Sequence, residues 1–71
     1  NFRTLAGVYA EMDPESAVRV LGEMKVETVV KILSQMPNDA SARILSTMAS
    51  EGDDASLSQA AKITETLQKL Q

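Results

Sequence analysis

The chain contains no cysteine and no histidine. Those two absences remove thiolate and imidazole chemistry, disulfide bridges and cysteine–histidine zinc sites together, leaving carboxylates as the strong metal ligands. Aromatic residues are almost missing, with one Phe, one Tyr and no Trp in 71 residues, so the core must be aliphatic. Three scattered glycines form no phosphate-cradling loop. No window approaches the roughly 20 consecutive apolar residues of a membrane span, and no basic-then-apolar leader precedes a small-residue cleavage site. Positive charge is also scarce. Seven Lys and Arg against ten Asp and Glu give a net charge of −3, the wrong sign for tracking a phosphate backbone, so nucleic acid is not an expected partner.

What is present is aliphatic side chain, 44% of the residues being hydrophobic and 24% charged, as in an ordinary globular helical chain. At this length folding buries only ~60% of the extended-chain surface, which limits the chain to one small domain spanning residues 1–71. Met12, Met24, Met36 and Met48 stand twelve residues apart without a slip. In the first three units the third residue after Met is acidic (Glu15, Glu27, Asp39) and the seventh basic (Arg19, Lys31, Arg43). The eighth is β-branched (Val20, Ile32, Ile44) and the ninth leucine (Leu21, Leu33, Leu45). A partial unit precedes them, with Tyr9 in the leucine position, and Ala61 to Leu67 resembles the second half of a unit, with Thr64 for leucine and Leu67 for methionine.

Each unit predicts one short helix and its turn, because Ala17, Val20, Leu21 and Met24 fall at i, i+3, i+4 and i+7. Val29, Ile32, Leu33 and Met36 repeat that stripe, and Ile44, Leu45 and Met48 continue it. Asp13-Pro14 supplies a cap and a first-turn proline, and Pro37-Asn38 is expected to do the same. Gly22 weakens the end of the second helix, while Lys25-Val26 carries no start signal. Ala49 to Asp54 is expected to be an acidic loop, followed by a last helix whose apolar face holds Leu57, Ala60, Ala61, Thr64 and Leu67 with Ile63 and Leu70 beside it. Helices this short are unstable alone and must stack.

Glu15–Arg19, Glu27–Lys31 and Asp39–Arg43 have the acid four residues before the base, the favourable order for helical ion pairs. The methionines are expected in the core, with Met48, next to the acidic loop, partly exposed. Glu51, Asp53 and Asp54 are oxygen donors of the kind Mg²⁺ or Ca²⁺ takes, which would suit a Mg²⁺-sensing module, but they lack the spacing of a calcium loop; they are expected to solubilise the loop and cap the last helix through Asp54 or Ser56, and no metal site or cofactor is assigned. Seven serines without a histidine provide no activated nucleophile, and no enzyme is expected. Phe2 and Tyr9, both at the start, are read as closing the open end of the core or as interface residues. The candidate partner contacts are Phe2, Tyr9, Arg19, Arg43 and Met48. Repeat ends need covering, so a homodimer is a further expectation, through the Phe2–Tyr9 segment or an upstream coiled coil.

The segments Leu5 to Met12, Asp13 to Leu21 and Ala42 to Met48 resemble the N-terminal domain of MgtE magnesium transporters over nearly the whole chain. Tyr9, Met12 and Ala61 to Thr64 bring it close to the C-terminal domain of MotE-like and FlbB-like flagellar proteins. The resemblance implies an all-α, right-handed superhelix of about five short helices. It further implies a non-catalytic interaction module of a flagellar motor, a periplasmic stator accessory or chaperone. Its partners would be flagellar motor or stator proteins, and the chain, which begins at Asn1, would be a C-terminal fragment tethered to the inner membrane by an upstream coiled coil. Two alternatives stand beside it: the cytosolic regulatory N-domain of an MgtE-type transporter, at the cytoplasmic face of the membrane, and a module like the middle domain of the rotor protein FliG.

Overall fold

Short helices arise here because each twelve-residue unit spends about nine residues on an apolar stripe and the rest on a turn. A computed structural model of the chain describes residues 1–69. They form α1 (Phe2–Glu11), α2 (Pro14–Leu21), α3 (Val26–Ser34), α4 (Asn38–Glu51) and α5 (Asp54–Lys69), with no strand among them. The expected all-α class holds. Leu70, expected beside the apolar face of the last helix, lies outside the described residues.

Local chemistry sets the helix ends. Asn1 accepts the Thr4 N–H at 2.8 Å, and Asp13 accepts the Ser16 N–H at 3.3 Å with Pro14 as the first residue of α2. Gly22 ends α2 as expected. Pro37 departs from the Asp13-Pro14 pattern: it occupies the capping place itself, one step before the helix, and offers no side-chain acceptor. Lys25 likewise precedes α3 without a capping side chain. Six serines and threonines, Ser34, Ser41, Thr47, Ser50, Thr64 and Thr66, donate their hydroxyls to carbonyls three or four residues back, which lets them sit within helices at little cost.

Alternate helices pack together: α1 on α3, α2 on α4 and α3 on α5, with α4 also lying on α5. This arrangement explains which members of the repeat are buried. The eighth residue is buried in α3, α4 and α5, where it is Ile32, Ile44 and Ile63, but in α1 and α2 the equivalents Val8 and Val20 are 52% and 42% exposed. The ninth residue shows the opposite trend. Tyr9, Leu21 and Leu33 are buried in α1, α2 and α3, whereas Leu45 in α4 is half-buried and Thr64 in α5 is exposed. The eighth residue therefore faces the helix two places earlier and the ninth faces the helix two places later. Where that neighbour is missing, the side chain meets water. The core these rows build contains no buried polar or charged residue among those described.

Met36 and Met48 are buried, and Met12 and Met24 pack partly buried against the core, as the ladder implied. Two expectations are corrected by the length of α4. The helix runs through Ala49 and Ser50 to Glu51, so the break is only Gly52 and Asp53, and Met48 sits inside the stack at 1% exposure instead of beside a loop. Leu57, Ala61 and Thr64, expected on the apolar face of the last helix, are exposed, and the residues of α5 buried in the core are Ala60 and Ile63, the latter expected beside that face.

Candidate functional site

One side of α2 with the turn that follows it, the end of α4 and the start of α5 meet around an open cleft lined by Asp13, Glu15, Arg19, Glu23, Glu51 and Asp53, together with Val18 and small or polar residues. Five of the six charged side chains are acidic, so the cleft carries more negative charge than the chain as a whole.

Two of the acids serve helix starts. Asp13 caps α2, and Asp53 Oδ1 accepts the Ser56 N–H at 2.9 Å, so the cap of α5 is Asp53 and not Asp54 or Ser56. The hydrogen bond from the Ser56 backbone N–H, then that from its hydroxyl, lowers the Asp53 carboxyl below its ordinary value. Both acids also sit at the positive ends of helix dipoles, which favours their charge. Glu51 is placed against these rules. It lies in the last turn of α4, where the dipole favours cations and no basic residue is present. It also faces Glu15, whose side-chain hydrogen bond and charge, with smaller contributions from desolvation and Asp13, raise the Glu51 carboxyl above its ordinary value. Glu51 therefore holds a proton more readily than an isolated glutamate does. Both groups remain in water, so the effect is screened by salt.

The cleft does not fit a self-contained Mg²⁺ site. Mg²⁺ demands near-octahedral oxygen coordination, and among the described residues no three acidic side chains converge on one point. Asp54 does not line the cleft and stands in the first turn of α5.

Of the five candidate partner contacts, only Arg19 lines this cleft. It closes no ion pair with Glu15. Asp39–Arg43, at 3.5 Å and fully on the surface, is the one expected pair formed among the described residues. Lys31 forms no ion pair with Glu27, and its Nζ stands 5.4 Å from the centre of the Phe2 ring, a cation–π contact between α1 and α3. Phe2 remains partly exposed, Tyr9 is buried, and Met48 is part of the core. Glu51 keeps the acidic place of the repeat, third after Met48, but Glu15, Glu27 and Asp39 stand in the first turn of a helix and Glu51 in the last turn of α4, so the register did not foretell its meeting with Glu15.

The model of one protein family, described as the MgtE intracellular N domain, matches residues 2–70. No curated protein and no solved structure matches the chain. The match spans the twelve-residue repeat, all five helices and the acidic cleft, and it places this chain in the MgtE intracellular N domain family.

Proposed function

We propose that this chain is a non-catalytic regulatory module of an MgtE-type magnesium transporter, held at the cytosolic side of the membrane and acting through protein contacts. The family match over residues 2–70 carries this reading, and it favours the transporter over the flagellar stator, which nothing in the match names. The architecture suits the role. A stack of short helices with an aliphatic core offers surfaces and ends, and its acidic cleft holds paired carboxylates in open water.

The test removes from the full-length gene the codons for residues 2–70 of this chain and measures magnesium uptake in cells lacking other magnesium transporters. Uptake that persists at high internal magnesium, where the intact protein shuts down, is the expected result. Uptake with the same magnesium dependence as the intact protein, or a full-length chain that transports no magnesium, overturns the reading.

A further inference from the structure

We draw no further inference here: the strongest candidate, the open apolar groove between α4 and α5 lined by Leu45, Ala49, Leu57, Ala60 and Ala61, is an unpartnered face, and nothing in the structure shows what covers it.

Discussion

Leu33→Ala is the sharpest probe of the stacking rule when compared with Leu45→Ala, because the two leucines hold the same place in the repeat. Leu33 is 2% exposed, with α5 two helices later to cover it, whereas Leu45 has no later helix and is half-buried. Removing three buried carbons costs about 0.8 kcal/mol each. The cavity left behind brings the total for Leu33 to about 2–5 kcal/mol. At Leu45 part of that area is already in water and the gap opens to solvent, so the loss is about 1 kcal/mol. Urea unfolding followed by circular dichroism reads both, and at a slope of about 1 kcal/mol per molar urea the midpoint falls by about 2 M or more for Leu33→Ala and by about 1 M for Leu45→Ala. A domain of this size holds only about 4–10 kcal/mol in all, so Leu33→Ala can unfold outright. Ile63→Val, at about 0.5–1.5 kcal/mol, then replaces it. It is set against the exposed Val20→Ala, which stays within about 0.5 kcal/mol of wild type. Equal losses within either pair would refute the covering rule.

Glu51→Gln should raise the melting temperature at neutral pH, because it removes a charge opposed by Glu15 and by the end of α4. The raised native pKa means that the folded state binds this proton more tightly than the unfolded chain. The linked stabilisation is therefore complete below the unfolded value and lost as pH rises through the native one. The advantage of Glu51→Gln must then shrink as pH falls through that window, and an equal advantage at neutral and acid pH contradicts the assignment. Gly52 has an ordinary negative φ of −91°, but a Cβ there would collide with Ser56 Cβ and come within 2.8 Å of the Met48 carbonyl oxygen. Gly52→Ala should cost about 1–3 kcal/mol. Gly7→Ala meets nothing within 4 Å and should gain about 0.5–1 kcal/mol in the middle of α1. Thermal melts of the two variants check the opposite signs.

The twelve-residue spacing made five helices, the methionine ladder and most of the core legible in sequence, since all three follow from periodicity. Members of a repeat that are equivalent in sequence are not equivalent in the fold. Val20 and Ile32 occupy one register position, yet one is exposed and the other buried, because burial depends on whether a helix stands two places away. Met48 was misplaced for a related reason. Polar Ala49 to Asp54 has loop composition, but Ser50 donates to the Ser46 carbonyl at 2.8 Å and the helix continues to Glu51. The ion pairs illustrate the weakness of surface charge as a guide. At a few tenths of a kcal/mol each, such pairs are too weak to be fixed by spacing: Glu15–Arg19 and Glu27–Lys31 do not form, and Lys31 takes the Phe2 ring instead. The acidic cleft joins residues nearly forty positions apart, so only the packing of α2 on α4 reveals it.

The proposed role, a transporter's regulator, requires this domain to stand in the cytosol. It is tested most directly by locating the domain in the cell, with compartment reporters fused at either end of it in the full-length protein. Cytosolic reporter activity at both ends, with several membrane spans elsewhere in the same reading frame, is the expected result. Periplasmic activity, with a single membrane helix and heptads preceding the domain, would contradict it and restore the stator-accessory reading.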